Sequence, residues 1–364
     1  MLGTSMRNLK FKYNLNVIGL SIVFSYLLLS KIAWQIWDTG CPTYTLNMIN
    51  QIRSGRFPAS FPGVPEIAAN YHQGHLVISA VIGELFKLDS LSALRICIFV
   101  FSVAGFFILA SASARVFGRG FGPLIILFCY LISSFPNAQT WPITANGLGP
   151  YEYLSIFEYL VSPSWPIAIF LCSLTFTRIH DSEKITFRVL VLLVFLPFFN
   201  ATLFTTIFIA LVIHLMFELK KKISQRKELN LILIQIAFAT CIYIAKNYTV
   251  SAFKTGVDYD SPKIGIRLFQ DNWLSFVSYY IKLQTPLIII GIAIIMSIVI
   301  KGQKQDFYSY FFMTSLFFPV VFEIQGVDFW DNSHKFVLAS GFSSIILMLK
   351  YHEKIKLRLG QGFY

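Results

Sequence analysis

Three polar stretches interrupt an otherwise apolar sequence and hold most of the residues able to do chemistry. The first runs from Trp37-Asp38 through Arg53, Arg56 and Glu66 to Tyr71-His72-Gln73-Gly74-His75. The second is Asp258-Tyr259-Asp260 with Lys263, Arg267 and Asp271, and the third spans Gln325 to Lys335, with Asp328, Asp331 and His334 inside it. Asp38 directly follows an apolar run, so its backbone is anchored while its carboxylate can reach an aqueous cavity. That placement suits a general base or a metal ligand, although an interfacial Asp is often only solvated. His72 and His75 are spaced i, i+3 and would share a helix face, compatible with metal or phosphate contact. A pair with no third ligand does not make a zinc site. His334 and Lys335 open the last apolar segment, where cations and free backbone N–H groups together can hold a phosphate; a snorkelling Lys is the plainer account. Arg53 and Arg56 end an amphipathic stretch from Met48 to Pro58 that could rest on lipid headgroups or hold a phosphate. The chain has no HExxH, no paired CxxC, no Gly-rich phosphate loop and no nucleophile-elbow Ser, which excludes the standard hydrolases and ATPases.

The elements that must position these residues are membrane helices. Of 364 residues 55% are hydrophobic and 13% charged, and mean hydropathy is +0.64, whereas a soluble domain carries roughly a quarter charged residues. The net charge of +12 raises the question of a polyanion partner. Seventeen of the 30 Lys and Arg fall in five short segments, around Arg7 to Lys12, Arg178 to Arg188, Lys220 to Lys227, Lys301 to Lys304 and Lys350 to Arg358. Six acids share those segments, so eleven of the twelve net positive charges lie there. Spaced between apolar runs, they mark cytoplasmic loops and exclude nucleic acid as the partner. Four of the five cysteines sit inside apolar segments and imply no disulfide or metal framework.

Apolar periodicity predicts an all-α polytopic transmembrane bundle of about ten to twelve helices. It forms one domain over 1–364, with a first outer loop over 37–70 that carries short interfacial helices. Expected spans are Leu15 to Trp34, Tyr71 to Leu88, Leu91 to Ala114, Phe121 to Phe135 and Pro166 to Thr177. A tight hairpin turning near Asn200 comes next, followed by Leu229 to Ala245, Thr285 to Ile300, Tyr308 to Phe322 and Lys335 to Leu349. Both termini are expected in the cytoplasm. Parity then requires Pro136 to Ser162 to cross or re-enter, and a re-entrant helix over Tyr151 to Val161 is preferred. The alternative is that one segment between Tyr71 and Ala114 fails to span, keeping Arg115 and Arg119 cytoplasmic.

The order of these features resembles the GT-C superfamily of membrane glycosyltransferases. The resemblance rests on Trp37-Asp38 after the first helix, the surface stretch Tyr44 to Phe57, and Tyr71-His72-Gln73-Gly74-His75 leading into an apolar helix. Leu88-Asp89-Ser90 to Arg95, with Ala114 to Arg119, looks like the flanks of the family's third helix. It covers roughly the first 135 residues and departs from the family in having a single Asp in place of a paired acidic motif and no globular outer domain. It implies transfer of a sugar from a polyprenyl-(di)phosphate donor to a glycan or lipid acceptor on the outer face of a bacterial inner membrane. Asp38 and His72 would be catalytic, with Arg53, Arg56, Glu66, His75, Asp328, Asp331, His334 and Lys335 binding substrate. Dependence on a divalent cation stays open. A repeat-unit polymerase of O-antigen or capsule is the nearest rival enzyme, and a transporter or flippase the rival from another class. A transporter is expected to carry ionisable groups deep in its helices, and only Glu84, His214 and Lys246 qualify.

Overall fold

The computed structural model describes residues 15–34, 42–61, 64–68, 73–132, 156–160, 162–177, 182–222, 263–269, 273–283, 286–325 and 334–360. Its helices are α1 (Leu15–Trp34), α2 (Pro42–Arg53), α3 (Gly74–Phe86), α4 (Ser90–Phe117), α5 (Phe121–Leu131), α6 (Ile156–Tyr159) and α7 (Ser164–Phe176). They continue as α8 (Ser182–Phe195), α9 (Ala201–Lys222), α10 (Trp273–Leu283), α11 (Pro286–Ile300), α12 (Phe307–Val321) and α13 (His334–Gly360). The class is all-α, with two antiparallel ribbons added: β1 (Ser60–Phe61) with β2 (Val64–Ala68), and β3 (Lys263–Ile266) with β4 (Phe322–Gln325). Helix α4, with 28 residues, is long and apolar enough to cross a membrane, and eight shorter apolar helices of 10–17 residues accompany it.

Local chemistry sets the helix ends. Asp89 caps α4 by accepting hydrogen bonds from the Ser92 N–H and the Ser92 hydroxyl, at 2.9 and 2.6 Å. Those bonds hold its carboxyl below the usual aspartate range. Asp306 caps α12 in the same way through the N–H groups of Tyr308 and Ser309. The hairpin expected near Asn200 is present: a 3-10 turn over Leu196–Phe198 ends α8, and the Asn200 side chain accepts from Leu203 N–H at 2.9 Å to start α9. Helix α13 kinks at Tyr351, where φ/ψ leaves the helical region.

Two close contacts define how the first helices run. The Asn16 amide donates to the Arg119 carbonyl at 3.3 Å, so the start of α1 meets the turn between α4 and α5. The Phe24 and Phe106 rings stack 4.2 Å apart with Tyr130 set edge-on to both, so α1, α4 and α5 share one aromatic core. Helix α4 therefore runs antiparallel to α1 and returns the chain to the end where it began. Between them α3, only 13 residues and about 20 Å long, folds back on the first half of α4, with Gly83 beside Ala93. Within the expected span from Tyr71 to Leu88 the described helix is α3, which pairs with the first half of α4. The re-entrant helix expected over 151–161 lies largely outside the described residues, and its described part is the single turn α6.

Elsewhere, α9, α12 and α13 pack through aromatic pairs. Phe217 stacks on Tyr310 at 5.5 Å and Phe318 on Phe336 at 5.2 Å. Gly291 lets α11 approach α12 and α13, since an added Cβ would stand 2.5 Å from the Phe312 ring and 2.8 Å from the Ser344 hydroxyl.

Candidate functional site

The best-described part of the candidate site is the platform made by α2, α3 and the start of α4. Residues Met48, Ile49 and Thr45 on the inner face of α2 are fully buried, leaving the polar end of the helix to reach its neighbours. Arg53, in its last turn, donates through Nε to the Glu84 carboxylate at 2.8 Å. Its Nη1 donates to the Leu88 carbonyl at 2.9 Å and to the Ser90 hydroxyl at 3.3 Å. The guanidinium lies across Gly83, where a Cβ would come within 3.3 Å of Cζ. Asn50 accepts from the same Ser90 hydroxyl. The hydrogen bond and charge of Arg53, with a smaller contribution from Lys87, hold the Glu84 carboxyl below the ordinary glutamate value. Arg53 thus ties the end of α2 to the turn between α3 and α4, where it satisfies the Leu88 carbonyl.

The other edge of the platform is built from two glutamines that sequence inspection did not single out. Gln51 accepts from Ser60 N–H at 2.7 Å and donates to Ser60 carbonyl at 3.2 Å. Gln73 does the same with Ala59, accepting at 2.9 Å and donating at 3.3 Å. Each amide completes both backbone groups of one extended residue, so the strand entering β1 is held between α2 and the start of α3. Gly74 brings α3 against the α8–α9 turn, with the Phe198 carbonyl 2.6 Å from where a Cβ would stand. No periodicity announces such amide clamps.

The remaining candidates fall as follows. Helix α3 begins at Gly74 with Gln73 as its N-cap, so the helix face expected to bear both histidines carries His75, while His72 precedes it. His75 is fully buried in the first turn of α3, and its carbonyl accepts from the Ser79 hydroxyl. Arg56 is exposed just beyond α2, its N–H bonded to Gln51 carbonyl at 2.9 Å. Glu66 lies in β2, His334 opens α13, and Lys335 is half-buried beside it. Asp38, His72, Asp328 and Asp331 lie outside the described residues. Among the described residues no three His, Cys, Asp or Glu side chains gather closely enough to hold a metal.

The second and third polar stretches are drawn together by the β3–β4 ribbon, in which Lys263 pairs with Gln325 and Ile266 with Phe322. Beneath it Arg267, 4% exposed, lies over the Phe276 ring at 3.6 Å, and the Trp273 indole donates to Val320 carbonyl at 2.9 Å. This ribbon joins stretches about sixty residues apart, which apolar periodicity alone does not pair. It ends three residues before Asp328, and α13 starts three residues after Asp331.

Comparison with protein-family models, with curated proteins and with solved structures gave no match.

Proposed function

We propose that the chain is a polytopic membrane glycosyltransferase of GT-C type, acting on a polyprenyl-(di)phosphate sugar at the outer face of a bacterial inner membrane. The observation that supports this most is the bond between Asn16 and the Arg119 carbonyl. It puts the start of α1 and the α4–α5 turn at one end of the molecule. With Lys10, Lys12, Arg115 and Arg119 on the cytoplasmic side, α1 crosses outward and α4 returns, and α2 and α3 form an outer platform between those two crossings. That is the order the family resemblance implies: a carboxylate after the first helix, short surface helices, then a helix that begins outside.

The same orientation removes the parity difficulty. With α5 outward and α7 inward, 136–162 needs no crossing. Helices α8, α9, α11, α12 and α13, with the apolar stretch 229–245, bring the total to about ten crossings and both termini to the cytoplasm. Exposed apolar side chains such as Ile22, Tyr26, Ile289, Met296 and Ile300 then face lipid.

In the proposed reaction Asp38 takes the proton from the acceptor hydroxyl as its oxygen attacks the anomeric carbon. The bond to the lipid phosphate breaks with inversion, and Lys335 and Arg56 hold the leaving phosphate. Transfer of a radiolabelled sugar from lipid donor in membranes, at matched protein levels, tests the assignment. Asp38→Asn is expected to lose about 10²- to 10⁴-fold in rate while inserting normally; wild-type transfer by that variant would remove Asp38 from the site.

A further inference from the structure

The loop that carries Arg56 is held at both ends by a single residue of α2. On the near side the Gln51 carbonyl accepts from Arg56 N–H at 2.9 Å and from the Ser54 hydroxyl at 2.8 Å. Gly55 N–H donates to the Ile52 carbonyl at 3.0 Å, with Gly55 in the left-handed region at φ 88°. Those main-chain bonds are an ordinary helix end and would form with other residues at 51. The far side depends on a glutamine. Its amide accepts from Ser60 N–H at 2.7 Å and donates to the Ser60 carbonyl at 3.2 Å, and the Asn47 side-chain oxygen, accepting from the same amide at 3.1 Å, fixes which way it points. Ala59 and Ser60 are buried, whereas residues 54–57 are exposed. An exposed tip bearing Arg56 thus stands on a buried base whose backbone groups are completed by glutamine amides.

Such a tip samples fewer conformations than a loop tied at one end, so a cation on it meets a ligand at a smaller ordering cost. The two arginines at this end of α2 differ in their surroundings. Arg53 donates within the platform, to Glu84, the Leu88 carbonyl and Ser90, whereas Arg56 lies at the surface. We propose that Gln51 is a positioning residue, whose amide presents the Arg56 guanidinium to the lipid-linked phosphate without touching substrate itself. The proposal rests on the phosphate role given to Arg56 above and adds the residue on which that role depends.

The test uses the purified full chain in phosphatidylcholine nanodiscs carrying undecaprenyl phosphate, with the retained polyprenyl phosphate counted by native mass spectrometry and amide exchange over 54–60 followed on the same samples. Arg56→Ala should lower retention about tenfold and Gln51→Ala about fivefold. The double variant should lose no more than Arg56→Ala alone, because the amide acts only through that guanidinium. Gln51→Met, which keeps the side chain's length without its polar atoms, repeats the measurement should the alanine loosen the platform. Lys87→Gln, which removes an exposed cation elsewhere on the platform, should leave retention unchanged. Faster exchange over 54–60 with wild-type retention in both Gln51 variants would overturn the positioning role and leave that of Arg56 standing. A double variant that loses the product of the two single effects would also overturn it, since Gln51 would then act on the fold at large. Wild-type retention by Arg56→Ala, in which Gln51 is intact, would instead remove Arg56 from the phosphate site and take the positioning role with it.

Discussion

Arg53 shows how a residue type can be right for one task and be engaged in another. Three of its five N–H donors go to Glu84, the Leu88 carbonyl and Ser90, and its plane covers Gly83. A lysine has no planar fork and cannot make these contacts together. Arg53→Lys is therefore expected to speed amide hydrogen exchange over 50–60 and 84–90 while leaving the KM for the lipid donor near wild type. A raised KM with unchanged exchange would return Arg53 to the phosphate site. Lys335→Ala supplies the contrast, because loss of a contact made equally in ground and transition states should raise KM more than it lowers kcat.

Among the elements, the α4–α5 hairpin depends on a glycine that no side-chain adjustment can replace. A Cβ at Gly122 would stand 2.3 Å from the Ser113 carbonyl oxygen and 2.7 Å from Ala114 N, both backbone atoms. Helix propensity favours Ala over Gly by about 1 kcal/mol, but overpacking against immovable backbone costs about 1–3 kcal/mol. Gly122→Ala should accordingly lower the unfolding temperature in detergent, and Gly291→Ala less so, because the Phe312 and Ser344 side chains can shift. The α2–α3 tie has a pH signature. Glu84 is held below its ordinary value by Arg53, so its contribution is present above that value and is lost as pH falls through the lower folded value. Hydrogen exchange over Pro42–Arg53 should rise selectively in that acid window, and Glu84→Gln should abolish the pH dependence.

For the whole molecule, the expected outcome is that residues near Gly120 and Tyr364 face the same side of the membrane and Arg56 the other. Single cysteines at these three positions, probed with a membrane-impermeant maleimide in intact cells, would report it: labelling at 56 alone supports the orientation. Labelling at 120 would make α3 a separate crossing and restore the need for a crossing within 136–162.

Composition and charge clustering determined the all-helical class, the positions of most helices and the sidedness expected of the basic loops, because these depend on local hydropathy and on charges that avoid lipid. The turn at Asn200 was legible for the same reason, as a Pro-Phe-Phe-Asn break between apolar runs. The sequence left two readings of α3 open, a span of its own or one of two segments between Tyr71 and Ala114 that does not cross, and local hydropathy does not choose between them. The meeting of Asn16 with Arg119, 103 residues apart, is the tertiary contact that sets α1 antiparallel to α4. The partners of Arg53, the amide clamps of Gln51 and Gln73 and the pairing of Lys263 with Gln325 likewise belong to the tertiary structure. Each is a single polar contact between distant segments, and neither periodicity nor composition records which carbonyl or carboxylate a polar side chain will meet once the helices have packed.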